Sequence, residues 1–171
     1  MLRHACLPLL LVASAALAGG ATESLKVDLD DVVERGTVSP VDGISTAGQP
    51  DEAAFSVFAD SGYVTVIDMR TAREDQGLDA PQVVADLGME YIAFPIGRGD
   101  VNLDRAGEFD ALLEQVKGPV LLYCGSANRV GAMLALREFR ASGDAEKALQ
   151  IGKEAGLKSL EGAVREVFET N

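Results

Sequence analysis

Short apolar runs alternate with longer segments of helical periodicity along most of this 171-residue chain. Four of the runs are rich in β-branched and aromatic residues and have the length of buried strands: 43–48, 63–68, 90–94 and 120–123. Helical spacing of apolar residues predicts helices at 29–34, 51–61, 81–87, 104–116 and 128–141, and two more that begin at Asp144 and near Leu160. This alternation predicts an α/β fold, with a central, mostly parallel sheet flanked by helices on both faces.

Acidic residues mark the beginnings of several predicted helices. Asp51, Asp104 and Asp144 each stand at the start of a helical pattern, where a carboxylate accepts hydrogen bonds from the free backbone N–H groups of the first turn. The helix that follows Asp51 carries Phe55 and Phe58 at helical spacing, and we expect both rings to face the core.

The N-terminal residues have the pattern of a secretory signal peptide, which we place at residues 1–18. A weakly basic start precedes an apolar run over 7–17 that is too short to span a membrane, and Ala16-Leu-Ala18 has the small residues of a cleavage site. An uncleaved N-terminal anchor is the alternative. Cleavage predicts an exported, soluble protein without stable membrane insertion, periplasmic in a Gram-negative source. Residues 19–42 would be a polar lead-in and 43–171 a single domain.

Cleavage would also remove His4, the only histidine of the chain, together with Cys6. A chain without histidine excludes a Cys–His protease, a Ser–His–Asp hydrolase and a histidine metal site. We therefore expect no metal and no cofactor. Cys124 would be the single remaining cysteine, which excludes an intramolecular disulfide as well.

The charge of the chain restricts its partners. Lysine and arginine total 15 against 27 aspartates and glutamates, for a formal net charge of −12. A surface with this excess of negative charge repels polyanions, so we expect no nucleic-acid partner. A small anionic substrate or a phosphorylated residue could still be drawn to a local positive site.

The segment around Cys124 predicts an anion-binding loop. A predicted strand ends at this cysteine, a loop of small residues follows, and a helix begins near Asn128. The N–H groups of a helix N-terminus bind anions and favour a thiolate, and Arg129 adds a full positive charge. Cys124 is therefore the candidate nucleophile and Arg129 the candidate stabilising group, with an inert buried thiol as the alternative. The candidate anion-binding residues are Gly125, Ser126, Ala127, Asn128 and Arg129.

Three segments resemble a known protein family. They are Ile44-Ser-Thr-Ala-Gly-Gln-Pro50, Gly62-Tyr-Val-Thr-Val-Ile-Asp-Met-Arg70 and Tyr123-Cys-Gly-Ser-Ala-Asn-Arg-Val-Gly131. They are similar to the bacterial beta-lactamase hydrolase-like protein phosphatase-like domain family, which has the tyrosine and dual-specificity phosphatase fold. The resemblance spans about residues 43–141. It implies a cysteine-dependent phosphatase that hydrolyses phosphate monoesters through a phosphocysteine intermediate.

Departures from the tyrosine phosphatase pattern leave alternatives open. Those enzymes usually have five residues between the cysteine and the arginine, whereas residues 125–128 supply four here. The shorter spacing is equally typical of rhodanese-like sulfurtransferases, in which Cys124 would carry a persulfide. A non-catalytic anion-binding module is a further alternative. Tyr123 stands where a histidine is common, and Ala127 where a glycine is common.

The resemblance also implies further site residues. Asp100 lies in the loop before the helix predicted at 104–116, and it is the candidate acid that protonates the leaving group. Asp104 is the rival for that role, with helix capping as its alternative. Arg70 and Arg98 are candidate rim residues of the site. For Arg70, a structural ion pair with a neighbouring acid is the favoured interpretation, and the rim position is the alternative.

Overall fold

The structure is a computed structural model that describes residues 25–74 and 77–171. Its strands are β1 (Ile44–Ala47), β2 (Thr65–Asp68), β3 (Glu90–Ala93) and β4 (Val120–Tyr123). They form one sheet in the order β1-β4-β2-β3, in which every neighbouring pair is parallel. The predicted α/β fold with a central parallel sheet is therefore confirmed.

The register brings the ends of the strands together at one edge of the sheet. Ala47 of β1 and Asp68 of β2 both pair with Tyr123, the last residue of β4, and Ala93 of β3 pairs with Asp68. Because parallel strands run the same way, the loops that follow them emerge side by side. Cys124 begins the loop after β4, between the loops that follow β1 and β2.

One face of the sheet is covered by three helices. They are α1 (Leu29–Arg35), α2 (Glu52–Asp60) and α3 (Ala80–Asp86). Phe55 and Phe58 of α2 are fully buried there, which confirms the predicted inward face of this helix. Their rings meet Tyr123 and Tyr63 edge-on, with centroids 5.8 and 4.8 Å apart. Burial of each phenylalanine contributes about 2 kcal/mol, so this apolar face holds α2 on the sheet.

The opposite face is covered by the remaining helices of the described chain. They are α4 (Leu103–Leu113), α5 (Asn128–Ser142), α6 (Ala145–Glu154) and α7 (Glu161–Glu169). α5 lies at the centre of this layer, and its residues 130–136 are all buried. At Gly131 a Cβ atom would come within 2.5 Å of the Gly152 carbonyl oxygen. Because residue 131 is a glycine, α6 can pack closely against α5.

Two of the three predicted helix caps are confirmed and the third is corrected. The carboxylates of Asp51 and Asp144 accept hydrogen bonds from the first turns of α2 and α6, at 2.8 and 3.0 Å. The cap of α4 is Asn102, whose side-chain oxygen accepts from Arg105 N at 2.8 Å. Because α4 begins one residue after Asn102, Asp104 lies inside the first turn. Its negative charge interacts favourably with the helix dipole there, but its side chain does not cap the helix.

Residues 25–42, expected as a lead-in, pack onto the sheet and its helices. Val27 N donates to Thr46 O and Thr46 N donates to Leu25 O, both at 2.9 Å, so this segment extends the sheet beside β1. The short helix predicted at 29–34 is confirmed as α1. The predicted signal peptide lies outside the described residues and stays a prediction. Within 25–74 and 77–171, no helix is long and apolar enough to cross a membrane.

Candidate active site

Cys124 directly follows β4 and is 1% exposed. Its side chain belongs to the apolar cluster between the sheet and α5. Its backbone N donates to Ala47 O at 3.5 Å, and the next residue but one, Ser126, forms an antiparallel bridge with Gly48. These contacts hold the cysteine loop, defined here as residues 124–129, against the end of β1.

The cysteine loop enters α5 through one residue in the left-handed region. Ala127 has φ +65° and ψ −6°, a conformation that costs a non-glycine residue about 1 kcal/mol. Its methyl group is buried against Gly156, where a Cβ atom would lie 2.6 Å from it. No side chain caps α5, so the free N–H groups of its first turn point toward the loop. The loop therefore has the elements of an anion-binding site.

Asn128, the first residue of α5, uses its side chain to hold the segment before α7. Its Oδ1 accepts from Lys158 N at 2.7 Å and from Leu160 N at 3.3 Å, and its Nδ2 donates to Ser159 Oγ at 2.8 Å. The amide group is therefore engaged in packing this segment. What Asn128 offers to an anion is its backbone N–H.

Arg129 is held by groups from the loops after β2 and β3. Its Nη1 donates to Glu74 Oε1 at 2.6 Å and to Met69 O at 3.2 Å, with a longer contact of 3.4 Å to Ile96 O. Its Nη2 donates to Glu74 Oε2 at 2.5 Å. Cys124 also interacts with this guanidinium electrostatically and helps to raise its pKa. A guanidinium has five N–H groups, so these partners on Nη1 and Nη2 leave Nε–H and one N–H of Nη2 for Cys124 and an anion.

Glu74 was not predicted as a site residue. Thr71 fixes its carboxylate, with N and Oγ1 donating to Oε1 at 2.6 and 2.9 Å. Gly125 of the cysteine loop lies beside the ion pair, since a Cβ atom there would be 3.8 Å from Arg129 Nη2. The one feature of the sequence that could have indicated Glu74 is a carboxylate in a charged loop that follows a strand. Asp79 shares that feature, and only the folded arrangement selects Glu74.

The ion pair keeps both of its members charged. Hydrogen bonds from Arg129, assisted by those from Thr71, lower the pKa of Glu74 to about 2. Glu74 in turn raises the pKa of Arg129 above its ordinary value, and Cys124 acts in the same direction. Glu74 is therefore an anion at neutral pH, so it has no proton to donate to a leaving group.

Replacement of Glu74 by glutamine should destabilise the protein at neutral pH, and the difference should vanish in acid. The pKa of Glu74 in the folded protein, about 2, lies below its ordinary value of 4.5. Its contribution is therefore present above pH 4.5 and lost as the pH falls toward 2. For this partly exposed pair we expect about 1 kcal/mol at neutral pH. Urea unfolding of both proteins as a function of pH measures this difference in the free energy of unfolding. A difference that does not change with pH would contradict the prediction.

Arg70 is not a rim residue, which corrects that prediction. It is 5% exposed, and its Nη2 pairs with the buried Asp68 carboxylate at 2.7 Å. Tyr123 Oη donates to the same carboxylate at 2.6 Å and accepts from Arg70 Nη2 at 2.8 Å. Tyr91 Oη donates to Asp68 Oδ2 at 2.8 Å. The Arg70 side chain is therefore buried among these partners. Its role is a structural ion pair with Asp68.

This buried network also supports the site. It joins the ends of β2 and β4 to Tyr91 within β3, and its members Asp68 and Arg70 flank Met69, whose carbonyl accepts from Arg129. Burial alone would raise the pKa of Asp68, but the hydrogen bonds from Arg70, Tyr123 and Tyr91 outweigh it and lower that pKa. Burial and the neighbouring Asp68 carboxylate raise the pKa of Tyr91 to about 12. The network therefore consists of one ion pair and two neutral phenols at neutral pH.

Tyr123→Phe should be more destabilising than Tyr91→Phe. Both changes remove a hydroxyl that donates to Asp68 Oδ2, but the Tyr123 hydroxyl also accepts from Arg70 and is fully buried. We expect losses of about 2 and about 1 kcal/mol in the free energy of unfolding, since bonds to charged groups are the strong ones. Urea unfolding of the two variants measures them. Equal losses would show that the second hydrogen bond and the burial of Tyr123 do not contribute.

The candidate acids lie away from Arg129. Asp100 Oδ2 accepts from Gly97 N at 2.7 Å and so closes the turn over residues 97–100. Asp104 is exposed in the first turn of α4. Among the described contacts, neither carboxylate reaches Cys124 or Arg129. Asp100 could therefore act on a group bound at Arg129 only if its side chain moved.

A cleft of about 630 Å³ opens beside the ion pair of Arg129 and Glu74. Residues from the loops after β2 and β3 line it, together with Leu160. Arg98, a candidate rim residue, is exposed and lies in this lining. Its volume is in the range of ligand-binding sites, so the cleft is large enough for a substrate larger than phosphate.

Residues 36–141 match the family described as Beta-lactamase hydrolase-like protein, phosphatase-like domain. This range is more than half of the chain and contains Glu74, Cys124 and Arg129. The chain belongs to this family. The resemblance of the three sequence segments is thereby confirmed, and with it the phosphatase-like character of the domain. No curated protein sequence gives a significant match.

Solved structures similar to this phosphatase-like domain establish its fold. A candidate phosphatase from Neisseria meningitidis, nma1982, is 21% identical with a TM-score of 0.64, over 74% of this chain and 92% of that one. A DUF442 candidate phosphatase from Shewanella putrefaciens is 21% identical with a TM-score of 0.54, over 73% and 78%. Tk-PTP in its active form is 17% identical with a TM-score of 0.56, over 74% and 91%. The fold is that of protein tyrosine phosphatase-like proteins.

Proposed function

We propose that this phosphatase-like domain hydrolyses phosphate monoesters, with Cys124 as the nucleophile and Arg129 as the group that stabilises the transferring phosphoryl. The observation that carries the proposal is the oriented guanidinium. Glu74 and two backbone carbonyls hold Arg129, and Cys124, at the start of the same loop, is close enough to contribute to its raised pKa. Membership of a phosphatase-like family supports the same reaction.

The reaction would proceed in two steps. The Cys124 thiolate attacks phosphorus, an S–P bond forms, the P–O bond to the leaving group breaks, and the leaving oxygen takes up a proton. Water then attacks the phosphocysteine, the S–P bond breaks, and inorganic phosphate leaves with the thiolate restored. In both steps, Arg129 and the N–H groups of the cysteine loop would stabilise the charge that builds on the phosphoryl oxygens.

Glu74 would act as a positioning residue in this site. A free arginine side chain loses rotamer entropy when it binds an anion, and that loss opposes binding. With Glu74 on one edge of the guanidinium, the side chain is already oriented before substrate arrives. The N–H groups that Glu74 leaves open, on Nε and Nη2, would then be available to a phosphoryl group.

The four-residue spacing between Cys124 and Arg129 is compatible with this proposal. The left-handed backbone of Ala127 lets the loop turn into α5 over a short distance. Arg129 then lies in the first turn of the helix, close to the cysteine. A smaller loop would bind the phosphoryl group through fewer backbone N–H groups, which places more of the stabilisation on Arg129.

Asp100→Asn should slow only those substrates whose leaving group needs a proton. We expect phosphate esters of alcohols to lose about 10²-fold in kcat, while esters of acidic phenols change little, because an acidic phenol leaves as an anion. A series of phosphate esters with graded leaving groups measures this. A matched control is Asp104→Asn, which we expect to leave the whole series unaffected. Identical series for Asp100→Asn and the wild type would exclude Asp100 as the acid.

The proposed function is tested by incubating the purified full chain with para-nitrophenyl phosphate. We expect phosphate release with a burst of nitrophenol stoichiometric with enzyme, if hydrolysis of the phosphocysteine is the slower step. Thiosulfate with a cyanide acceptor is the matching assay for the persulfide alternative. Thiocyanate formation without phosphate release would contradict the proposal and favour the sulfurtransferase. Binding of phosphate with turnover in neither assay would favour the non-catalytic module.

A further inference from the structure

The cleft beside Arg129 differs in charge from the rest of the molecule. Among the residues that the structure describes, three arginines line it, Arg73, Arg98 and Arg129, and Glu74 is the one carboxylate. The chain as a whole has a net charge of −12. A second cleft of similar volume, about 580 Å³, is lined by five carboxylates and one arginine. Of these two clefts, only the first attracts an anion.

Two of its arginines are not neutralised by described residues. Glu74 balances the charge of Arg129. Arg73 and Arg98 are exposed, and neither forms an ion pair within the described part of the chain. Several other arginines do pair with carboxylates, namely Arg70, Arg105, Arg137 and Arg165. The excess positive charge of the cleft therefore comes from Arg73 and Arg98, on the loops after β2 and β3.

The cleft has more room than a phosphate group needs. Its volume of about 630 Å³ lies in the range of sites that hold whole organic ligands. Apolar side chains form much of its remaining lining: Ala72, Ile96, Val101 and Leu160. An aromatic or aliphatic body would bury its surface there. The two exposed arginines would then lie beside that body, apart from the guanidinium of Arg129.

We infer that this cleft selects phosphate monoesters whose organic part carries a second anionic group. The phosphate lies at Cys124 and Arg129, and the second anion lies at Arg73 and Arg98. The position of the phosphate rests on the proposed function. The second anion is either a carboxylate or phosphate of a small ester, or an acidic side chain next to a phosphorylated residue. Both sources present the same kind of group, an anion, to the two arginines.

The test compares two ligands that differ by one charge. Para-carboxyphenyl phosphate and its neutral carboxamide have the same size, and their affinities for full-length Cys124→Ser protein are measured by calorimetry. We expect the carboxylate to bind about two- to fivefold more tightly, which is the strength of an exposed ion pair. When Arg73→Gln or Arg98→Gln is added to the Cys124→Ser protein, the ratio of the two affinities should fall toward one. Added salt should reduce the ratio too, because exposed charges are screened.

Lys117→Gln is the matched control. It removes the same charge from an exposed residue just before β4, at the opposite end of the strands from the site. We expect it to leave the ratio of affinities unchanged. If the ratio of affinities fell equally in Lys117→Gln, the effect would be due to net charge alone, and the inference would be overturned.

A second pair of ligands distinguishes the sources of the anion. Phosphotyrosine peptides with aspartate or asparagine at the following position are compared in the same way. A preference in the peptide pair alone identifies a phosphorylated protein, and a preference in the small pair identifies a small ester. Equal affinities within both pairs, or no binding of any, overturn the inference. Because Cys124→Ser binding needs no turnover, absence of hydrolysis by the wild type would contradict only the proposed function.

Discussion

Cys124→Ser should abolish phosphate release from para-nitrophenyl phosphate, with kcat lowered by about 10⁴-fold or more. A serine hydroxyl is a far weaker nucleophile than a thiolate unless a general base activates it. The described site offers no such base: it has no histidine, and the Glu74 carboxylate is engaged by Arg129 and Thr71. Serine also preserves the shape of the loop, so the change tests the chemistry of the sulfur atom.

Steady-state kinetics of the two proteins measures this loss, and their urea midpoints show whether the fold is retained. Cys124 is buried, so we expect the hydroxyl to reduce stability by about 1 kcal/mol. The matched control is Cys6→Ser in the full chain, the same change at the other cysteine, which should leave kcat unchanged. More than a tenth of the wild-type rate in folded Cys124→Ser would exclude a phosphocysteine intermediate.

Arg129→Lys should lower kcat by about 10²- to 10³-fold, the usual loss when a transition-state donor is removed. Lysine keeps the positive charge but has one nitrogen in place of the planar fork. It cannot pair with both oxygens of Glu74, reach the Met69 carbonyl and hold two phosphoryl oxygens at once. Because these donors matter most as charge builds on the phosphoryl group, we expect a larger effect on kcat than on KM.

The control for this variant is Arg137→Lys on the same helix. Arg137 is also paired with a carboxylate, Asp110, at 2.6 Å, but it lies toward the far end of α5 from the cysteine loop. We expect its kcat to match the wild type. A large rise in KM with unchanged kcat in Arg129→Lys would mean that the arginine only binds substrate, and an equal loss in Arg137→Lys would attribute the effect to stability.

Elements defined by neighbouring residues could be predicted from the sequence. The strand that ends at Tyr123 and the helix that begins at Asn128 match the predicted bounds at these positions, because a short apolar run and a loop of small residues define them locally. The caps at Asp51 and Asp144 were found for the same reason. The cap of α4 is Asn102 and not the predicted Asp104; both residue types are good caps, and the choice depends on where the helix backbone begins.

The partners of the charged residues could not be predicted in this way. Arg129 and Glu74 are 55 positions apart, and so are Tyr123 and Asp68. Each pair is made by the adjacency of β2 and β4, and strand order is not encoded in any single apolar run. Arg70 illustrates the consequence: its position after a strand allows either the rim or an ion pair, and only the burial beside Asp68 shows which role it has.

The sequence by itself therefore determined the α/β class and the placement of Cys124 and Arg129 at the two ends of one loop, since periodicity and a six-residue segment specify both. The tertiary structure alone decided which carboxylate orients Arg129, which arginines line the cleft and which are buried. The physical reason is that an ion pair forms where strand register brings side chains within a few ångströms, and the order β1-β4-β2-β3 sets that register across the whole chain.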